Sequence, residues 1–379
     1  MKYPAAVTAT LLALWPAVVL AAPAAWQQWQ TVPGVFDLGG PRADASFVVA
    51  GSGALYTVTP AGDLQPFARG PGGYRDDPGT EAYIAVSPGL HAGQANCDFA
   101  RDDIFVLRLH TPFGVTRVDK SGEDSGSFTN VSVPSLNGIA FDTAGAFDHR
   151  LLLTAPVSGK TEVVAVDCKG GAQVVTRTAP QVEGGMDVAP EGFGVYAGSL
   201  IAPDELTGII WAIAPDGSAR TVVNSGLPKG QDIGVESVAF VPPGFSKGGY
   251  VYYADRKTAS NPHPGNDSIL RLSSADLVAA GVQDGDLLAA TEGGASMIAV
   301  RCDTSCRVIP VVTTPTTAHG EGHLVFTVTP QPSPTPTPKL PSATPAASSG
   351  GGSFPWLVPV MAAGLAAALG TLVARRRRR

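Results

Sequence analysis

Runs of four to eight apolar or β-branched residues recur between Ala25 and Thr329, each bounded by Gly, Pro, Asp or Asn. That pattern predicts short strands joined by tight turns. Helical periodicity is nearly absent, and Ser274 to Gly281 is the one stretch that predicts a short helix. A strand of common form repeats: a small or acidic residue, two or three apolar residues, then a turn with Pro, Asp or Gly. It reads Ser46-Phe-Val-Val-Ala, Tyr83-Ile-Ala-Val-Ser-Pro, Gly138-Ile-Ala-Phe-Asp, Met186-Asp-Val-Ala-Pro, Ser237-Val-Ala-Phe-Val-Pro and Ser296-Met-Ile-Ala-Val. Starts near 46, 83, 138, 186, 237 and 296 are 37 to 59 residues apart, the size of a four-stranded propeller blade. Residues 25–329 are therefore predicted to be all-β, a six-bladed β-propeller, with a pair of β-sandwiches as the alternative.

The two ends carry hydrophobic patterns of a different kind. Lys2, an apolar run from Ala5 to Leu20 and the small residues Ala21, Ala22, Ala24 and Ala25 have the three-part layout of a signal peptide over residues 1–24. Phe354 to Ala374 is 21 residues without a charge, long enough to span a bilayer that needs roughly 20. Arg375 to Arg379 follow at once. Each charge costs about 2.5 to 3.5 kcal/mol at the centre of a spanning helix, so this tail is expected to stay cytoplasmic and the propeller to lie outside. Residues 330–353 are almost entirely Pro, Thr, Ser, Ala and Gly, with Lys339 the one charge, which predicts a semi-rigid stalk. The expected localisation is the cell membrane, single-pass, with the ectodomain outside.

Charge and cysteine content refine this picture. Seven of the 26 basic residues (Lys2, Lys339 and the five terminal arginines) lie outside residues 25–329, while all 32 acidic residues lie inside. The ectodomain thus carries 19 basic against 32 acidic residues, a formal −13. Such a surface repels nucleic acid and anionic lipid and favours cationic ligands or metal ions. The even count of cysteines, Cys97, Cys168, Cys302 and Cys306, predicts disulfides in an exported chain, with three connectivities open. Pairing Cys302 with Cys306 would close a tight hairpin and leave Cys97 with Cys168.

The strand and Pro-Asp-Gly turn pattern, as in Gly208-Ile-Ile-Trp-Ala-Ile-Ala-Pro-Asp-Gly217, resembles the six-bladed propellers of the NHL and regucalcin/gluconolactonase-like type. The tail, Ser348-Ser-Gly-Gly-Gly-Ser353 followed by a hydrophobic stretch and arginines, resembles bacterial GlyGly-type C-terminal sorting signals. The first resemblance implies a divalent ion on the propeller axis, held by Glu, Asn and Asp residues and able to polarise a lactone or ester carbonyl.

Acidic or amide residues ahead of the recurring strand match that expectation: Glu81, Asn137, Glu183 and Glu236, and more loosely Asp44 and Glu292. Oxygen donors of this kind suit Ca2+. Their registers differ along the strands, however, and side chains alternate faces, so not all are expected to point inward. A second metal candidate is His319-Gly-Glu321-Gly-His323, whose three side chains would share one face of an extended strand. Long loops at 69–80, 91–103 and 255–267 place Tyr74, Arg75, Tyr253, Arg256 and His263 as candidate partner contacts. No nucleophile elbow or phosphate-binding loop occurs. The sequence therefore supports a surface-anchored binding module for an extracellular ligand or protein, with a metal-dependent lactonase or esterase as the alternative.

Overall fold

Antiparallel pairing of consecutive short strands builds six four-stranded sheets in the computed structural model, which describes residues 24–68, 74 and 81–329. Blade 1 runs from the axis outward as Val35–Gly39, Phe47–Gly51, Ala54–Val58 and Leu64–Phe67. Blade 2 comprises Ile84–Val86, Ile104–Arg108, Gly114–Val118 and Ser125–Asn130. Blade 3 comprises Gly138–Phe141, Leu151–Val157, Lys160–Val166 and Ala172–Ala179. Blade 4 comprises Asp187–Val188, Leu200–Asp204, Ile209–Ile213 and Ala219–Asn224. The domain is an all-β, six-bladed propeller, as its strand pattern predicts.

The last two blades depart from simple repetition. Blade 5 takes its inner strand from Val235–Phe240, but its other three, Leu287–Thr291, Met297–Cys302 and Cys306–Val312, come only after an excursion. In between, the chain lays down the middle of blade 6, Gly249–Asp255 and Ser268–Ser273, and the helix Ser274–Ala279. It then returns with Gly320–Val328 as the inner strand of blade 6. The expected starts near 83, 138, 186 and 237 are inner strands, whereas those near 46 and 296 fall on the second strand of blade 1 and the third of blade 5. The motif misleads there because every doubly covered strand is apolar and ends in a turn, whatever its place in the blade.

The short helix has a local cause: Ser273 Oγ accepts from the Asp276 amide and donates to the Asp276 carboxylate in the first turn, an N-cap that starts the helix. The outermost strand of blade 6 is Gln27–Thr31 from the other end of the chain, paired Gln27 to Arg271 and Thr31 to Ser268, so the ring is closed by both termini of the domain. That seam is aromatic. Tyr252 of blade 6 lies 4.9 Å from Trp29 and 4.8 Å from Phe47 of blade 1, ring centre to ring centre. Blades 2 and 3 meet through Phe105 and Phe141, 5.4 Å apart and edge-to-face.

Both disulfides form: Cys97 with Cys168, and Cys302 with Cys306 across the hairpin of blade 5. Among the described residues no helix is long and apolar enough to cross a membrane, and the segments 1–23 and 330–379 lie outside those residues.

Deleting residues 25–31 removes the closing strand and exposes the edge of Ser268–Ser273, a template for intermolecular pairing. The expected outcome is a lower thermal midpoint and concentration-dependent aggregation, read by calorimetry and light scattering; an unchanged midpoint would show that blade 6 holds with three strands.

Candidate functional site: a carboxylate-lined channel mouth

In each blade the inner strand starts at one mouth of the channel, and the antiparallel second strand ends at the same mouth. Residues just before a first strand and just after a second one are therefore brought together. Glu81, Asn137 and Glu183 precede inner strands, and Glu205 and Glu292 follow the second strands of blades 4 and 5. Glu236 and Glu321 sit inside inner strands, but each lies where the pairing register shifts. Such a bulge re-aims a side chain that alternation would turn elsewhere. All seven residues line one cavity of about 340 Å³, together with Tyr83, Leu109, Leu136, Gln231 and Asp232. The four predicted ligands Glu81, Asn137, Glu183 and Glu236 thus share a cavity despite their differing registers. Glu205 is not legible from the sequence, because nothing distinguishes it from ordinary turn chemistry in Pro203-Asp-Glu-Leu206.

Six glutamates face this space, and the interactions among them are those of a crowded acid cluster. The Tyr83 hydroxyl is 2.8 Å from Glu236 Oε1 and 2.6 Å from Glu321 Oε1. It has one hydrogen to donate, so one of these carboxyls must donate back and carry a proton. Burial pushes both Glu236 and Glu321 well above the usual carboxylate range, and the neighbouring carboxylates push them further. Burial and the contact with Glu183 raise Glu205 to about 9. The counter-charge at hand is small. Arg256 pairs with Glu81 and lies 3.5 Å from Glu321 Oε2, while His319 Nε2 is 2.8 Å from Glu292 Oε1 and 3.7 Å from Glu321 Oε2.

The donor set fits a hard divalent cation, which takes six to eight oxygen ligands. One ligand atom from each of Glu292, His319 and Glu321 lies within 4.8 Å of the others. Two buried polar atoms beside the cluster, Tyr253 Oη and His319 Nδ1, have no hydrogen-bond partner among the described residues. The phenol of Tyr253 is pushed well above its ordinary value by burial, and the field of Glu236, Glu321 and Glu292 adds to it. Asn137 is half committed, donating to Val182 O at 2.9 Å and accepting from Thr154 Oγ1 at 3.0 Å.

Several sequence-predicted residues stand elsewhere. His323 does not join His319 and Glu321, because Gly322 at φ +66° breaks the alternation of the strand. A Cβ at Gly322 would come within 2.2 Å of Asp37 Oδ1, so the close approach also demands glycine. The His323 ring faces the axis below the acid cluster, with Nδ1 2.9 Å from Asp37 Oδ1 and Nε2 2.8 Å from Ile139 O. Both partners are acceptors, so both ring nitrogens carry hydrogen and the imidazole is cationic. Burial pulls its pKa down, but the Asp37 carboxylate outweighs that and holds it above the ordinary value.

Tyr253 is no loop contact: it is fully buried in a blade 6 strand, 6.0 Å from the Trp26 ring. Tyr74 is buried rather than displayed, and Arg75 lies outside the described residues. Arg256 turns inward to Glu81 and Glu321, and His263 Nδ1 lies 2.7 Å from Thr316 O. Asp44 serves its own turn, accepting from Ser46 N and Oγ.

Two measurements follow from these charges. A carboxyl raised in the folded state holds a proton that the unfolded chain releases, so stability is expected to fall as pH rises from the ordinary glutamate value of 4.5 towards 9. Urea midpoints recorded in chelator across that range check it; midpoints that rise with pH would contradict it. Asp37→Asn leaves a buried imidazolium without its counter-ion and is expected to cost about 3–5 kcal/mol in the same assay.

No family model matches the chain, and no curated protein matches it. Among solved structures it is similar to virginiamycin B lyase from Staphylococcus aureus, at 10% identity and a TM-score of 0.42 over 80% of this chain and 96% of that one. It is also similar to a putative TolB from Agrobacterium tumefaciens, at 13% identity and a TM-score of 0.44 over 78% and 85% of the two chains. A third likeness is to a putative oxidoreductase (glucose dehydrogenase) from Thermus thermophilus, at 13% identity and a TM-score of 0.37 over 66% and 99%. None of these likenesses carries an argument about activity.

Proposed function

We propose that this chain is a membrane-anchored, surface-displayed propeller that works as a cation-dependent binding module for an extracellular ligand or protein. The observation that carries the reading is the convergence of Glu81, Glu183, Glu205, Glu236, Glu292 and Glu321 on one cavity, with His319 against Glu292 and Glu321 and its Nδ1 without a partner among the described residues. Mutual repulsion in a poorly solvated space favours either bound protons or a divalent cation, and Ca2+ matches the oxygen donors. Arg256 and His263 lie on the 255–267 loop, and Arg256 pairs with two of the same carboxylates. A cation that takes Glu81 or Glu321 therefore competes with Arg256, which links cation occupancy to the shape of the loop offered to a partner. The stalk at 330–353 and the apolar segment at 354–374 would tether the propeller to the membrane.

The His319 and Glu292 contact at 2.8 Å favours a second reading, a metal-dependent lactonase or esterase, because a carboxylate that orients an imidazole is the arrangement a general base needs. Residues Glu183, Glu205, Glu236, Glu292 and Glu321 would hold the cation, which when bound supplies Lewis-acid polarisation of a carbonyl.

Calcium titration of the full chain by calorimetry is expected to give stoichiometric binding that is lost in Glu205→Gln/Glu236→Gln and retained in Asp44→Asn. Absence of binding, or binding indifferent to the double variant, would overturn the cation site. Turnover of lactones or esters by the calcium-loaded chain, abolished in His319→Gln, would select the hydrolase over the binding module.

A further inference from the structure

The other mouth of the channel has the opposite character. Past the Asp37 and His323 pair, the inner strands line a second cavity of about 300 Å³ that shares no residue with the acid cluster. Its walls are apolar, with Ile84, Val86, Phe141, Met186, Val238 and Val325 among them. The charged groups facing it are Asp187 and His323, with Asp37 behind the histidine.

The charges do not cancel. His323 gives both ring hydrogens away, to Asp37 and to Ile139 O, so its positive charge is matched by Asp37. Asp187, which also feels the field of the His323 imidazolium, is the second carboxylate beside one cation, so the three groups leave a net negative charge in an apolar wall. Asp187 is half-buried, and each oxygen accepts a backbone amide, Val188 N at 2.8 Å and Phe240 N at 3.0 Å. A carboxylate oxygen has two lone pairs, so each keeps one acceptor position after these bonds are made. An apolar pocket with a few placed polar groups is the usual form of a small-molecule site.

We propose that this second mouth binds a small apolar molecule carrying a single primary ammonium head, with the head on Asp187 and the apolar body between Val86, Phe141, Met186 and Val238. Charge complementarity selects the ammonium over a neutral or anionic head. An alcohol leaves the carboxylate uncompensated, and a carboxylate ligand adds a like charge in a poorly solvated space. The apolar walls select against a small hydrated cation, since they offer no further oxygen ligands. Burial raises Asp187 to about 6, so at pH 7.5 the carboxyl is ionised and available to the ligand.

Three probes with one ring and different heads test this: cyclohexylammonium, cyclohexanol and cyclohexanecarboxylate, titrated by calorimetry against the full chain at pH 7.5, in chelator and again in calcium. The expected result is binding of the ammonium at least about tenfold tighter than the alcohol, no binding of the carboxylate, and the same order with and without calcium. Asp187→Asn is expected to bring ammonium and alcohol to equal affinity. Val86→Trp, at a half-exposed position of the pocket, is expected to abolish binding of the ammonium and the alcohol while leaving calcium binding intact. Because Asp187 also ties two backbone amides, a fall in the melting temperature of Asp187→Asn would transfer the decision to Val86→Trp. Equal affinities in the wild type, an ammonium preference that survives Asp187→Asn with an unchanged melting temperature, or binding that survives Val86→Trp each overturns the proposal. Loss of calcium binding in the Glu205→Gln/Glu236→Gln chain with the ammonium preference retained would separate this site from the cation site.

Discussion

Asp37, fully buried at the axis, accepts the backbone amides of Leu38, Ile84 and His323, and it pairs with the His323 imidazolium. The ring continues to Ile139 O. One carboxylate thus joins the inner strands of blades 1, 2 and 6 directly, and that of blade 3 through the histidine. A charge so far from water is tolerated because its lone pairs are met and its counter-ion is within hydrogen-bond reach. Blades 4 and 5 are tied in by related contacts: Asp187 accepts Phe240 N, Gly185 bridges to Ser237, and Ser237 Oγ accepts Leu324 N. Inner strands in a propeller have few partners of their own, so this polar lacing at the axis supplies what sheet pairing does not.

The acid mouth shows how a fold can concentrate charge against its own stability. Four glutamates, Glu81, Glu183, Glu205 and Glu292, arrive there because the start of a first strand and the end of a second lie at the same mouth in every blade. Bulges at Glu236 and Glu321 add two more carboxyls from within strands. Gly184, at φ +74°, lets the chain pass where a Cβ would come within 2.0 Å of the Glu236 backbone oxygen and 2.5 Å of its Oε1, so the backbone is also shaped around that residue. Consistency between local preference and global fold is the rule in natural chains, and departures from it cluster at functional positions. Repulsion among these groups is relieved by protons at low pH, and a divalent cation of the kind proposed above would compete with those protons for one cavity.

Much of the architecture is legible from pattern. Tyr83-Ile-Ala-Val, Gly138-Ile-Ala-Phe and Ser237-Val-Ala-Phe are inner strands as their spacing implies, and Ser273 with Asp276 marks the helix start. The interleaving of blades 5 and 6 is not legible, because strand periodicity records that a strand is buried and not which neighbour it pairs with. Glu81, Asn137, Glu183 and Glu236 can be picked out by their place before or within a strand, and they share the cavity. Glu205 cannot, since it becomes part of the cavity only through the antiparallel return of blade 4. His323 looks like a partner of Glu321 in any extended reading, and one positive φ at Gly322 turns it towards Asp37 and the apolar mouth. Tyr253 looks like a loop residue beside Arg256, yet a seven-residue strand from Gly249 to Asp255 carries it into the core.

The plug formed by Asp37, His323 and Tyr83 is what allows one channel to hold two kinds of chemistry. Tyr83 turns its hydroxyl up to Glu236 and Glu321, and its ring meets His323 edge-on with centres 6.1 Å apart. Glu321 and His323 are two residues apart in one strand, yet the first belongs to the acid mouth and the second faces the apolar one. A water-filled bore would screen the two ends from each other and dilute both fields. A closed, fully hydrogen-bonded septum keeps the carboxylate cluster in a poorly solvated space and preserves the dry walls around Asp187. The difference between the mouths therefore follows from the septum more than from either lining, and a variant that opens it should weaken the proposed cation binding and the proposed ammonium binding together.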